Sequence, residues 1–236
     1  MPGRPRTATQ DLREMPSYRI TEAAHYLGMP LATLRAWTLG QPYATGAGPR
    51  LFAPLITIAQ RKPSLLSFLN LVEVHVLDAI RREHKLSLQK VRKALRFLRE
   101  QCPSAHPLAD QKFMTDGLDL FIARYGQLIN ISRAGQLAMR ELLEAHLRRI
   151  ERDPAGIPIK LYPFTRKHDA DEPKRIVIDP TVSFGRPVLA GTGIATAVIT
   201  ERYKAGESMD DLAEDYGRDR LDIEEAIRCE IQVQAA

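Results

Sequence analysis

From Ser17 onward the spacing of apolar residues predicts two short helices. Ala23, Leu27, Leu34 and Trp37 fall where such helices would pack on one another. Thr21 stands ready to cap the first, Gly28 to make the turn by entering a left-handed conformation cheaply, and Pro30 to start the second. This is helix-turn-helix spacing. Gly40 to Gly48 reads as a Gly- and Pro-rich loop. Arg50–Phe52 and Leu55–Ile58 then read as two short strands around Pro54, followed by the basic pair Arg61 and Lys62, which together predict a wing. Ser67 to Glu83 predicts a long helix that is apolar almost all round. Such a helix must be covered on several sides, by other elements or by a second subunit; we therefore expect a homodimer. Ser87 caps a further helix, Leu88 to Arg99, with Val91, Leu95 and Leu98 inward. Its basic residues Lys90, Arg92, Lys93, Arg96 and Arg99 read as a solvated surface rather than as a DNA contact.

Past the break at Cys102–Pro107 the period changes. Lys112–Met114, Leu118–Ile122 and Gln127–Ile131 alternate, with Asp116-Gly117 and Tyr125-Gly126 as turn signals, and predict a three-stranded meander. Ser132 caps a helix over roughly Ala134 to Arg152, and Ile157–Phe164 resembles another strand. Lys167 to Lys174 is a charged linker. After it come a strand at Arg175–Ile178, a loop from Gly185 to Ile194, and three short helices at Thr196–Ala205, Ser208–Tyr216 and Leu221–Cys229. Ser208 and Asp222 are their caps, and Leu212, Ala213, Tyr216, Ile223, Ala226 and Ile227 form a small trihelical core. The predicted fold class is mainly α, α+β. Its parts are a disordered tail (1–15), a winged helix-turn-helix head (16–106), an α+β middle unit (107–166), a linker (167–175) and a C-terminal trihelical domain (176–236).

Composition narrows the class. With 236 residues, 44% hydrophobic and 27% charged, the chain is globular rather than disordered. No apolar stretch reaches the ~18 residues of a membrane span, and the N-terminus lacks the apolar core of a secretory signal. The expectation is a soluble, cytoplasmic protein without a membrane partner. Cys102 and Cys229 read as two separate buried thiols. Charge is divided unevenly: residues 1–106 carry a net +9, residues 107–175 a net +2 and residues 176–236 a net −6. The front suits a polyanion. The segment from Glu207 to Glu230 holds ten carboxylates against three arginines, so bringing it to phosphates would be repulsive. It reads as a protein-binding or dimerising face.

The second helix of a helix-turn-helix presents its N-terminal residues to base edges in the major groove. Thr33 and Arg35 lie on that helix, and Arg35 is of the type that pairs with guanine or phosphate. Arg50, Arg61 and Lys62 are placed to hold the DNA backbone around the wing. The competing reading is a helical hairpin that binds no DNA. Signatures of catalysis are missing. The six histidines show no ligand spacing, the Gly185–Gly193 loop lacks the Lys-Ser/Thr of a phosphate loop, and no nucleophile motif occurs. Asp210, Asp211, Glu214 and Asp215 share one helix, whereas a catalytic site draws groups from several elements into a cleft. We expect no enzyme, no metal and no cofactor.

Two resemblances add to this. Tyr18 through Ala24, Gly28, Thr33-Leu34-Arg35, Arg50-Leu51-Phe52 and Ser87–Arg92 resemble the MerR-type winged helix-turn-helix. Here Pro30 replaces the usual polar cap, the wing is enlarged and the dimerising coiled coil is missing. The strings Ile176–Pro180, Gly185-Arg186-Pro187-Val188, Gly191-Thr192, Ala205–Ser208, Leu212-Ala213 and Ile223–Ile227 resemble the VapB-type antitoxin family once labelled domain of unknown function 433. Ala190 and Gly193 stand where that family usually carries basic residues. The layout is similar to mycobacterial antitoxins with a MerR-like head. What this resemblance implies is an antitoxin of a type II toxin–antitoxin pair, with a PIN-type ribonuclease toxin as partner and its own promoter DNA as the head's target. Such nucleases gather carboxylates around a divalent metal, which makes Arg186 the candidate toxin-blocking side chain; the competing reading is a salt bridge inside its own loop. The alternative function is a stand-alone MerR-like transcription regulator whose C-terminal part senses a ligand or dimerises.

Overall fold

A computed structural model describes residues 11–45, 48–82, 88–101, 103–129, 132–166 and 172–231. The chain enters through β1 (Tyr18–Arg19), which pairs antiparallel with β4 (Leu65–Leu66). α1 (Ile20–Tyr26) and α2 (Leu31–Thr38) follow, separated by Gly28 at φ +58°. The cap of α1 differs from expectation. The helix starts ahead of Thr21, and the Glu22 carboxylate instead accepts the Arg19 N–H at 2.8 Å. A glutamate in the first turn thus satisfies a donor that the helix leaves open.

The wing is also rearranged. Gln41–Thr45 (β2) and Gly48–Phe52 (β3) form an antiparallel hairpin, and Leu55–Ile58 is not a strand. Pro42 and Pro49 make the hairpin read as a loop, yet a two-stranded ribbon has only edge strands, where proline is tolerated. Leu55 and Ile56 turn their N–H groups to the Trp37 carbonyl, at 2.7 and 3.1 Å, and bury their side chains. They thereby fill one of the carbonyls that end α2.

α3 (Phe68–Arg82) is the axis of the fold. Every residue from Leu66 to Ile80 is buried. α6 (Arg133–Leu147), β6 (Pro158–Leu161) and β4 pack against it. Its all-round apolar pattern is therefore covered within one chain, and this helix supplies no reason for a second subunit. Asn70 pins the preceding loop: its Oδ1 accepts from Ala59 N and Ser67 N, and its Nδ2 donates to the Thr57 carbonyl at 2.9 Å. α4 (Leu88–Gln101) sends Arg92 to the Ala53 carbonyl and Arg99 to the Leu55 carbonyl. The Arg92 guanidinium also lies 5.3 Å from the centre of the Phe52 ring. Of the basic residues of α4, Arg92 therefore holds the end of the hairpin and Arg99 the segment that follows it.

The predicted meander is helical instead. A π-helical turn, Phe113–Gly117, runs into α5 (Leu118–Ile129). The buried residues Leu118, Phe121 and Ile122 follow helical spacing, while Leu120 is exposed and breaks the alternation. Short apolar runs satisfy both periods, and tertiary packing decides between them. Gly117, read as a turn, is a close-packing residue: a Cβ there would lie 3.1 Å from Leu98 Cδ1 of α4. The end of the third predicted strand, residues 130–131, lies outside the described residues, as do 1–10 of the tail, Ser87, Cys102 and residues 167–171 of the linker.

Ser132 caps α6 as expected, accepting the Gly135 N–H at 3.2 Å. The helix stops at Leu147, and Ile150–Arg152 becomes β5, paired with β6. Leu161 and Ile178 then exchange backbone hydrogen bonds at 3.0 and 2.8 Å and join β6 to the next element. β7 (Ile176–Val177) pairs with β8 (Val188–Leu189), and α7 (Thr196–Lys204), α8 (Met209–Tyr216) and α9 (Arg220–Ile231) complete the chain. Ser208 caps α8 through the Asp211 N–H. Asp222 is not a cap: it is buried within α9 and paired with Arg175 and Arg218.

The result is a mixed α+β fold with an N-terminal helix-turn-helix. One cluster of buried side chains runs from Tyr18 to Ile178, and a second joins Ile176 and Leu189 to Ile199, Leu212, Ile223 and Ile227. Cys229 is a free, buried thiol whose pKa burial pushes up. Among the described residues no helix is long and apolar enough to cross a membrane.

Candidate nucleic-acid interface

α2 has two unlike sides. Leu34 and Trp37 are fully buried against the core, whereas Ala32 and Arg35 are exposed and Thr33 is half-buried. The turn that follows Gly28 sets this polarity. Met29 N donates to the Ala24 carbonyl, and Pro30 supplies the carbonyl that accepts from Thr33 and Leu34. The outward side of α2 faces an open groove lined by Arg19, Thr21, Arg35, Leu39, Pro63 and Ser64.

The pairing of β1 with β4 builds the other wall. It sets Arg19 opposite Leu65 and so places the turn before β4 beside α1. Gln60 and Leu65 close that turn with two backbone hydrogen bonds, and Ser64 Oγ donates to the Arg61 carbonyl at 3.0 Å. Arg61 and Lys62 project from it, both exposed. Among the described residues Arg19, Arg35, Arg61 and Lys62 have no ion-pair partner. Arg50 occupies β3 opposite Tyr43, and its side chain lies outside the described part of the structure. Of the residues predicted for DNA, Arg35, Arg61 and Lys62 therefore stand on one exposed edge of the head, and Thr33 sits half-covered beside Arg35. Arg19 belongs with them and was missed. Only the long-range β1–β4 pairing brings it there, and the local sequence carries no such signal.

The C-terminal unit handles charge in the opposite way. Arg202 pairs with Glu207 and Asp215, Arg220 with Asp210 and Glu224, Arg218 with Asp222, and Arg228 with Glu225. Glu225 is fully buried and also accepts from Arg166 and Thr165. Six of the ten carboxylates from Glu207 to Glu230 are thus paired with arginine, while residues 176–236 as a whole keep a net −6. Among the described residues no three His, Cys, Asp or Glu side chains converge as metal ligands.

The two units touch at α1. Arg186, the candidate toxin contact, leaves its own loop and pairs with Glu22 at 2.9 Å, and it donates to Tyr26 Oη at 3.2 Å. Burial opposes its charge, but Tyr26 and Glu22 outweigh that and raise its pKa. The Tyr26 hydroxyl is itself raised, mainly by burial. Next to Tyr26 on α1, His25 meets Glu230 of α9 at 3.2 Å. Burial would raise the Glu230 carboxyl, but His25 and Thr196 hold it below the usual range. Gly185 closes the contact: a Cβ there would stand 2.2 Å from Tyr18 Oη, so only glycine admits this approach.

Comparisons with known proteins follow this division. Residues 16–95 match a family model described as "Putative DNA-binding HTH domain", and residues 176–228 match one described as "Protein of unknown function (DUF433)". The chain is 30% identical over 234 residues to "Putative antitoxin VapB45" of Mycobacterium tuberculosis, covering 89% of this chain and 94% of that protein. It is 23% identical over 224 residues to "Uncharacterized protein Rv2308" of the same organism, covering 89% and 88%. The crystal structure of Rv2018 from M. tuberculosis superposes with a TM-score of 0.64 at 23% identity, over 90% of this chain and 98% of that one. That likeness shows the fold.

Proposed function

The chain belongs to the protein family of its 30%-identical Mycobacterium tuberculosis relative, and we propose that it is a DNA-binding antitoxin of a type II toxin–antitoxin pair. In this reading the head binds the promoter of its own gene, the C-terminal unit holds a PIN-type ribonuclease toxin, and the chain itself catalyses nothing. One observation carries the reading: Arg19 and Arg35 line the open groove beside the outward side of α2, the exposed Arg61 and Lys62 directly precede its Pro63–Leu65 wall, and among the described residues none of the four has an ion-pair partner. A surface arginine left unpaired on a recognition helix is available to a guanine edge, which accepts a guanidinium at two points.

The head then works as a MerR-like winged helix-turn-helix. α2 enters the major groove, with Thr33 and Arg35 toward the bases. Arg19, Arg61 and Lys62 grip phosphates on either side, with Arg50 on the hairpin, and these contacts position the protein without reading sequence. A homodimer would present two such helices to half-sites one helical turn apart. At the other end, a toxin that gathers carboxylates around a metal meets Arg186 only if the guanidinium exchanges Glu22 for them. Toxin binding therefore reaches α1, the first helix of the head, through a single side chain.

The test is electrophoretic retardation of a duplex carrying the region upstream of the gene, together with co-expression of the product of the adjacent gene, which this reading takes to be the nuclease. The expected result is retardation that weakens steeply between 50 and 200 mM salt, on the order of 10²-fold for the four phosphate contacts of one head, and relief of the nuclease's toxicity. Absence of retardation at 50 mM salt overturns the DNA reading. The stand-alone regulator has one observation in its favour, a cavity of about 260 Å³ lined by Leu69, His106, Ala109, Gln111, Ile157 and Pro158. Normal retardation with no nuclease bound would select it.

A further inference from the structure

Phe184 is 95% exposed, far beyond any other large hydrophobic side chain among the described residues, the next being Leu51 at 64%. Single exposed apolar residues are ordinary on protein surfaces, but this one stands on an unusual support. Ser183, Phe184 and Gly185 have φ of +47°, +55° and +74° in succession. Two side-chain-bearing residues thus occupy the left-handed region, which L-residues avoid.

The turn is also pinned on every side. Ser183 Oγ donates to the Gly193 carbonyl at 3.1 Å, Gly185 N to the Val182 carbonyl at 2.8 Å, and Thr196 N to the Pro187 carbonyl at 3.0 Å. Gly185 rests on Tyr18, and Arg186 is held by Glu22 and Tyr26. A rigid, strained turn that displays one aromatic ring has the properties of an interface anchor, because the ordering cost is met before the partner arrives.

We propose that Phe184 is the anchor by which the C-terminal unit docks a polypeptide partner. That partner presents an apolar pocket rimmed by lysine and arginine. Charge selects this occupant. Residues 176–236 carry a net −6, so a second copy of the unit or a nucleic acid would approach against repulsion, whereas a cationic rim would be attracted. The inference rests on the toxin reading above, since the toxin is the partner it assigns to this face.

Calorimetric titration of the full chain with the adjacent gene's product, the nuclease of the reading above, tests it, using wild type, Phe184→Ala and Phe184→Gly. Both variants are expected to bind that nuclease about 30-fold more weakly, as loss of a central aromatic anchor does, with retardation of the upstream duplex unchanged. Phe184→Gly should also raise Tm by a few degrees, because glycine relieves the left-handed strain. Wild-type affinity in Phe184→Ala overturns the proposal. So does a loss confined to DNA binding, which would make the ring a nucleic-acid contact, or a loss of dimer in sedimentation, which would make it a self-contact. If wild type does not bind the nuclease at all, the toxin reading itself fails, and the occupant proposed here fails with it.

Discussion

The molecule contains two helical hairpins of similar size, α1–α2 near its start and α8–α9 at its end, and their arginines behave in opposite ways. On the head, Arg19 and Arg35 reach an open groove without ion-pair partners among the described residues. In the C-terminal unit Arg202, Arg218, Arg220 and Arg228 are each paired with carboxylates of the same unit, and Arg186 with Glu22 of the head. Helix-turn-helix spacing is common to both, so spacing alone does not make a DNA reader. What separates them is whether the cations are spent inside the fold or left for a polyanion.

That contrast breaks first at Glu225. It is fully buried, and its carboxylate takes hydrogen bonds from Arg166 at 2.8 Å and Arg228 at 2.7 Å. Removing one partner of a buried pair costs roughly 3–5 kcal/mol. The two arginines are partly exposed and regain water, so Glu225→Ala should cost less, about 2 kcal/mol, or about 4–8 °C in Tm. Arg35→Ala should instead stay within about 0.5 kcal/mol of wild type, as surface substitutions do. Thermal denaturation of both variants decides the matter, and a destabilised Arg35→Ala would erase the distinction.

Binding should show the reverse order. Arg35→Ala is expected to weaken retardation of the upstream duplex by about 10- to 100-fold and to relax sequence discrimination, as loss of a bidentate base contact does. Lys62→Ala should weaken all sequences alike and lower the salt slope by about one. Binding of the upstream duplex by Glu225→Ala at a temperature where it is folded should match wild type.

The sequence made the C-terminal unit legible almost residue by residue, because its helices are short, separated by glycine or an explicit Ser208 cap, and apolar on one side only. α3 was legible as a helix but not in its role: its surrounding cover comes from α6 and β6, far along the chain. The meander was misread because Leu118–Ile122 fits both a period of two and a helical period, and packing of Phe121 and Ile122 selects the second. The hairpin was misread because Pro42 and Pro49 look like loop residues. At the site, Arg35 was legible from helix-turn-helix spacing. Arg19 was not, nor was the partner of Arg186, since both depend on contacts between distant segments.

The contact between the head and the C-terminal unit gives a smaller effect. Arg186 and Glu22 keep 40% and 30% of their side chains exposed, and such pairs contribute about 0–1 kcal/mol. Arg186→Ala should therefore leave Tm nearly unchanged. Its effect should appear locally, as faster amide hydrogen exchange along α1, with α2 following because the two helices pack together. Exchange confined to the Gly185 loop would mean that the two units do not communicate through this side chain.

The smallest effect should lie in pH, at a side-chain contact that ties the segment before the head to α3. His106 Nδ1 lies 2.9 Å from Glu73 Oε2 and Nε2 lies 3.0 Å from Glu14 Oε2. Both ring nitrogens can donate to these acceptors only in the imidazolium form. Burial opposes that charge, but the two carboxylates outweigh it, and the pKa of His106 is raised above its ordinary value. A raised pKa means that the folded state holds the proton more tightly than the unfolded chain, whose histidine titrates near ~6.5. The stabilisation is therefore complete below ~6.5 and is lost as pH rises through the folded-state value. Tm measured from pH 6 upward should fall more in wild type than in His106→Gln, which keeps a neutral donor in place. Parallel curves would show that His106 stays neutral in the fold and that Glu14 is held by other means.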